Sequence, residues 1–343
     1  MKRSQFALLG GLLLAVCSAW ASVPAEPGTI NYIEGQASLG NQALAQTSVG
    51  TARLAAGQSI STENGKVEVL LTPGIFFRLG INSSAQMVSP DLANTTMTLN
   101  KGRALVEVDQ IFPANNVRIN TGTASTQLKK VGLYDFDADR GQVRVFDGEA
   151  MVQVVDRQIK VKGGHELALN TTGQLKTTDF DKKAVEDDFY RWTSLRSSYI
   201  SEANIDTARL YVGGGGAYGP GWFGDGWYWD PYFDAYTFIP GDGAFFSPFG
   251  WGFYSPFYAP YFGYAGYHHF WPGYRPHFQA GVRGQAFSGH AYSVGGAGYR
   301  GGAGFRGGAV GGNAFHGGAG GGGFHGGGGG GGFHGGGGGG EHR

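Results

Sequence analysis

Hydrophobic and polar residues alternate with a period of two through the first half of the chain. The clearest case is Gly57–Ser84. Val67, Val69 and Leu71 fall on one face of a first run, and Ile75, Phe77, Leu79 and Ile81 repeat the pattern in a second, as half-buried strands require. Thr72-Pro73-Gly74 joins them. Proline presets φ for the first central position of a type II turn, and glycine accepts the positive φ of the next. The entry, Gly57 to Gly65, is polar and reads as turns. The stretch predicts a β-hairpin.

The same pattern continues on both sides, over residues 28–178. Runs at Thr29–Leu39, Met97–Leu99, Ala104–Val108, Val117–Thr121, Val131–Phe136, Val143–Phe146, Ala150–Val155, Ile159–Val161 and Glu166–Leu169 are separated by turn residues. Among the turns, Asp147-Gly148 is a strong hairpin signal. Asn100-Lys101-Gly102 and Gly163-Gly164 also turn the chain. About ten strands at roughly ten-residue spacing predict a mainly β, antiparallel domain. A sandwich, a jelly roll and a short β-helical stack all fit. Some 150 residues bury a self-sufficient core without disulfides.

Over 180–211 the period changes. Val185, Phe189, Trp192, Tyr199 and Ala203 recur at three-, four- or seven-residue steps on one face of an amphipathic helix. Asp179 or Asp181 can cap it, and the acids at 186–188 suit the positive end of its dipole. The stripe predicts packing on the β domain. In a sharper reading Phe189, Trp192 and Tyr199 anchor a partner. Residues 212–275 follow, crowded with aromatic residues and prolines, with only Val212 and Ile239 as larger aliphatics. A conventional core is not expected there; stacking and amphipathic tyrosine and tryptophan surfaces are. Residues 276–343 are glycine-rich, with Phe315-His316, Phe324-His325 and Phe333-His334 at a nine-residue period. Glycine has nothing to bury and much entropy to lose, so this tail is expected to be disordered alone.

Composition and address narrow the chemistry. Residues 1–21 have the form of a secretory signal: Lys2 and Arg3, an apolar run from Phe6 to Val16, then Ala19-Trp20-Ala21. The run is too short to span a membrane comfortably, so no transmembrane span is expected after cleavage. Leu14-Ala15-Val16-Cys17 also has the outline of a lipidation signal, with valine a poor fit. Cys17 is the one cysteine of the 343 residues, so cleavage after Ala21 excludes disulfides, thiolate metal sites and a cysteine nucleophile. Net charge is zero and gives no reason to invoke nucleic acid. Tyr299-Arg300-Gly301-Gly302 and Phe305-Arg306-Gly307-Gly308 have the form of RNA-binding boxes. An export signal removes RNA, and the same pairs suit self-association through cation–π contacts.

No serine-hydrolase elbow, Walker loop or His-Glu-x-x-His motif occurs, and no enzyme or cofactor is expected. Asp135, Asp137 and Asp139 alternate without the glycine and distal glutamate of a calcium loop, which reads as a solvated turn. His165 reads as a surface or strand-edge residue. His316, His325 and His334 are weak metal candidates, far from the spacing of a helical zinc pair.

The β domain resembles the FecR domain, a periplasmic module. The resemblance rests on Gly57-Gln58-Ser59-Ile60-Ser61-Thr62 with Gly65, on Gly74, Leu79 and Ser83, on Leu99, Gly102 and Val106, on Val117 and Thr121, and on Val143, Gly148 and Val152. Pro73-Gly74-Ile75 replaces the family's Asp-Gly-Ser turn, and Val131–Phe136 departs from its Gly-Thr-x-Phe element. The order of signal, domain, helix and aromatic tail also looks like envelope proteins of acidobacteria. The resemblance implies a binding module of the periplasm or outer envelope, engaged in protein–protein interaction or envelope signalling with an unidentified envelope protein or surface polymer. The family's cytoplasmic sigma-factor segment has no counterpart. The alternative is a structural component of an extracellular matrix or surface layer.

Overall fold

The computed structural model describes residues 25–170, 174–212 and 221–262. The signal, Cys17, the arginine–glycine boxes and the tail from 276 on lie outside them. In chain order the strands are β1 (Ile30–Leu39), β2 (Gln42–Ala43), β3 (Ser59–Leu70), β4 (Ile75–Leu79), β5 (Ser84–Pro90), β6 (Thr95–Lys101), β7 (Arg103–Val108) and β8 (Arg118–Thr121). Then come β9 (Ala124–Leu128), β10 (Gly132–Asp137), β11 (Gln142–Asp147), β12 (Glu149–Val154), β13 (Arg157–Lys162), β14 (His165–Ala168) and β15 (Thr177–Asp179). Helix α1 (Asp188–Leu210) follows, and beyond it lie two hairpins, β16 (Gly226–Asp230) with β17 (Ala235–Ile239) and β18 (Ala244–Phe246) with β19 (Gly252–Tyr254), before a single turn, α2 (Ala259–Phe262).

Strands β1–β15 form one sheet in the order β13-β12-β9-β8-β6-β5-β3-β4-β7-β10-β11-β14-β15, with β1 paired to β3 and β2 paired to β1. Pairing is antiparallel except for β6 with β8, which run parallel. The long β3 is shared between two halves: Ser59–Ser61 pair with β5, and Val67–Leu70 pair with β4. Inward residues from both halves, Ile60, Met87, Met97 and Ile119 with Val69, Phe77, Val106 and Tyr134, belong to one core. The sheet therefore doubles over itself into a sandwich. The predicted hairpin stands at its centre, with Gly74 at φ 81° in the turn. Its entry is strand rather than turns, since β3 begins at Ser59, and Ile81 lies beyond β4 and is exposed.

Three expected turns connect different halves of the sheet. β11 pairs with β10 and β14, and β12 with β9 and β13, so Asp147-Gly148 makes no hairpin. β6 and β7 likewise do not pair across Gly102, nor β13 and β14 across Gly163-Gly164. These glycines are corners at which the chain changes layer. Gly102 shows why: its φ is 73°, and a Cβ there would lie 2.1 Å from the Ser83 hydroxyl oxygen. Turn chemistry specifies a reversal; which strand accepts the returning chain depends on long-range packing.

The aromatic segment departs from expectation. Trp227, Tyr236, Phe238 and Phe253 are buried and pack with Leu70 and Phe76 from the outer face of the sheet and with Ile200 from α1. Phe76 meets Trp227 edge-on at 5.0 Å, and Phe238 meets Phe253 at 5.9 Å. Aromatic rings bury enough area to make a core without aliphatics. A second small core joins Ala208, Tyr228, Ile239 and Tyr254.

Candidate functional site

The outer face of β3, β4, β7 and β10 carries charge where a solvated face would carry surface residues. β4 reads Ile-Phe-Phe-Arg-Leu, with apolar residues on both faces and Arg78 on the outer one, and all five residues are buried. The covering layer is α1 with the hairpins, and the charges lie between. Directly opposite one another on β3 and β4, Glu68 and Arg78 pair, the Arg78 Nε donating to Glu68 Oε2 at 2.7 Å. Arg78 Nη1 donates to Glu107 Oε2 on β7. From above, Arg196 Nη2 donates to Glu68 Oε1 at 3.1 Å, and the Ser197 hydroxyl donates to Glu107 Oε1 at 2.5 Å. Arg196 also lies 3.9 Å over the Tyr32 ring. Burial alone would raise the Glu68 carboxyl; Arg196 and Arg78 more than reverse this and hold it at about 2.

Two asparagines extend the seam by imitating backbone. The Asn31 amide donates to Glu68 Oε1 (2.9 Å) and to the Tyr236 carbonyl (3.0 Å), and its oxygen accepts from the Tyr236 N–H at 2.7 Å. Asn204 on α1 donates to the carbonyls of Phe238 (2.8 Å) and Tyr254 (3.1 Å) and accepts from the Tyr254 N–H at 2.8 Å. Ser201 donates to the Gly252 carbonyl, and Thr207 to Asp230. Both hairpins thus hang from hydrogen bonds made by one helix and by β1.

The covered face of α1 includes Thr193, Arg196, Ser197, Ile200, Ala203, Asn204, Thr207 and Ala208; of the apolar stripe read from the sequence it contains Ala203, while Val185 and Phe189 pack on the sheet against Leu105, Leu133 and Phe146. The stripe's aromatics lie beside it. Phe189 and Trp192 stack at 5.9 Å; the Trp192 indole N–H donates to Glu34 Oε2 at 2.7 Å, with Lys66 over its ring at 5.3 Å. Arg103 sits 5.7 Å from the Phe189 ring. Tyr199 stands apart, 44% exposed. The helix cap is Asp187, which accepts from the Tyr190 N–H and from Arg103, rather than Asp179 or Asp181.

Asp135 and Asp137 are buried rather than solvated. Asp135 accepts from Arg103 Nε at 2.8 Å and from Arg144 Nη1 at 3.2 Å, and Arg144 Nε donates to Glu166 Oε2 at 2.8 Å, a ladder across β10, β11 and β14. His165 lies in β14 near Asp179, 3.1 Å from Nε2 to Oδ1. Among the described residues no group of three or more His, Cys, Asp or Glu side chains is placed to hold a metal ion. His316, His325 and His334 lie outside the described residues. No described helix is long and apolar enough to cross a membrane.

At the far end of α1 the rings of Tyr211, Phe223, Trp227, Tyr228, Trp229 and Tyr236 line a small cleft of about 100 Å³. Its polar tips are engaged: the Tyr228 hydroxyl donates to the Gly224 carbonyl at 2.8 Å and accepts from the Phe223 N–H at 3.0 Å. Burial pushes that phenol up to about 12. The cleft offers π faces and no acid–base pair.

No protein-family model matches the chain, and no curated protein matches it. Among solved structures, it is similar to two crystal structures, at 2.50 and 1.65 Å, of a protein from Parabacteroides distasonis ATCC 8503 provisionally described as an anti-sigma factor. Each is 16% identical, covers 45% of this chain and 74% of that one, and gives a TM-score of 0.32.

Sequence reasoning missed the seam. Its signal lay in strands apolar on both faces, Val67–Leu71, Ile75–Leu79 and Ala104–Val108, because charges embedded in doubly buried strands must be paired.

Proposed function

We propose that the protein is an exported, non-enzymatic binding module of the periplasm or outer envelope, engaged in protein–protein interaction or envelope signalling, with its tail acting as tether. One observation carries the reading. The charged groups under α1 hold the covering layer in place, and large aromatics of that layer present surface to solvent: Phe223, Tyr232 and Phe257 are 65%, 86% and 57% exposed. Such rings, on a rigid hairpin scaffold, suit recognition rather than turnover. The sequence resemblance to the FecR domain agrees with a binding role.

Residues 226–254 belong to the folded unit, so the tether test removes 263–343 rather than everything after 211. The full chain is expected in the envelope fraction and the truncated chain in the soluble fraction. A truncated chain that stays with the envelope would show that the tail is not the tether. In the alternative, a matrix or surface-layer component, the exposed rings are lateral contacts between copies. Concentration-dependent assembly of the full chain, abolished by replacing Tyr232 and Phe257 with serine, would favour it.

A further inference from the structure

The seam contains three acids and two cations. Glu68 comes from β3, Glu107 and Asp109 from β7 and its end, Arg78 from β4, and Arg196 from α1. Trp227 and Phe238, the hairpin rings packed with Phe76 beside Arg78, carry no charge. All five groups are buried. Both oxygens of Glu68 and both of Glu107 receive donors. Neither oxygen of Asp109 receives one. An ionised Asp109 would leave one uncompensated negative charge in a dry interior, which is expensive. A protonated Asp109 leaves the seam neutral and gains an acceptor, because its carboxyl lies within hydrogen-bonding reach of Glu107. Burial, then the charge of Glu107 and that hydrogen bond, push Asp109 well above the usual aspartate range, with Arg78 offsetting only part. The proton sits on Asp109 because Arg78 and Ser197 already occupy the two Glu107 oxygens.

We propose that docking of α1 and the aromatic hairpins onto the sheet takes up one proton: Asp109, ionised in the undocked chain, becomes a neutral acid donating to Glu107. The proton comes from solvent and returns to it when the layer lifts. The contact is therefore a proton-linked latch, firmer in acid than at neutral pH. In sign, the folded protein binds the extra proton between the ordinary aspartate value and the higher folded one. Stability is full below that window and falls as pH rises through it.

The test compares the full chain with its Asp109→Asn variant. Urea unfolding is followed by near-ultraviolet circular dichroism of the buried aromatics from pH 5 to 8. The wild-type folding constant is expected to fall relative to the variant's by up to about tenfold per pH unit, the limit for one linked proton. Parallel curves would overturn the latch. Infrared spectra of the wild type supply a measurement independent of the variant's folding. A carbonyl band of a protonated carboxylic acid at neutral pH is expected, and its absence would equally overturn the proposal.

Discussion

Arg78 is the residue on which most of the seam turns. It is wholly buried and holds Glu68 on one side and Glu107 on the other. Replacing it with methionine leaves Glu107 in a dry interior with only the Ser197 hydroxyl and Glu68 with only Arg196 and Asn31, a loss on the order of 3–5 kcal/mol, which urea unfolding would register. The replacement keeps much of the volume, so charge rather than packing is what the loss measures. Glu68 adds an acid limit. Its folded carboxyl sits at about 2 against an ordinary 4.5, so its contribution is complete above the ordinary value and is lost as pH falls toward the lower one. Asp109 works in the opposite sense at higher pH. Together they place maximum stability on the acid side of neutrality, to be read as a peak in the thermal midpoint between pH 3 and 8. A midpoint rising steadily to pH 8 would contradict the Asp109 assignment, and one that does not fall toward pH 3 would contradict the Glu68 assignment.

Among the elements, α1 is unusual in how it is attached. Its covered face makes directed hydrogen bonds through Arg196, Ser197, Ser201, Asn204 and Thr207. Asn204→Leu keeps similar bulk but leaves two carbonyls and one N–H unpaired. About 1–3 kcal/mol per stranded group should appear as loss of the near-ultraviolet signal of the hairpins. Gly102→Ala acts elsewhere: a Cβ would collide with Ser83 and force a positive φ on alanine. A lowered thermal midpoint is expected, because the displaced Ser83 hydroxyl also accepts from the Arg103 N–H and donates to the Ile81 carbonyl.

The strands were legible because Val67, Val69, Ile75, Phe77 and Leu79 alternate cleanly and all face one core. Their partners were not. Asp147-Gly148 is locally identical to a hairpin turn, and only the competition among distant strands for β11 and β12 decides otherwise. The aromatic hairpins were hidden for a different reason. The segment has almost no aliphatic residues to signal a core, and Trp227, Phe238 and Phe253 supply the burial with rings. The covered face of α1 was hidden because its polar side chains carry no hydrophobic signal.

For the molecule as a whole, both hairpins belong to the described fold. Deleting 263–343 should leave the unfolding midpoint within error of the full chain. Deleting 212–343 should uncover Leu70 and Phe76 on the outer face of the sheet, lower stability, and raise binding of a hydrophobic dye. Equal stability of the two truncations would show that the hairpins do not cover the sheet.

The polar underside of α1 also bears on how the chain matures. Folding proceeds while the last strands are still to be delivered, and in that interval the helix waits for hairpins that have not arrived. A helix with a greasy underside would be an adhesive surface for neighbouring immature chains. Serine, threonine, asparagine and arginine on that face can be hydrated instead, so the waiting form stays dispersed. Apolar surface in that interval is confined to Leu70 and Phe76 on the sheet and to the rings that arrive last.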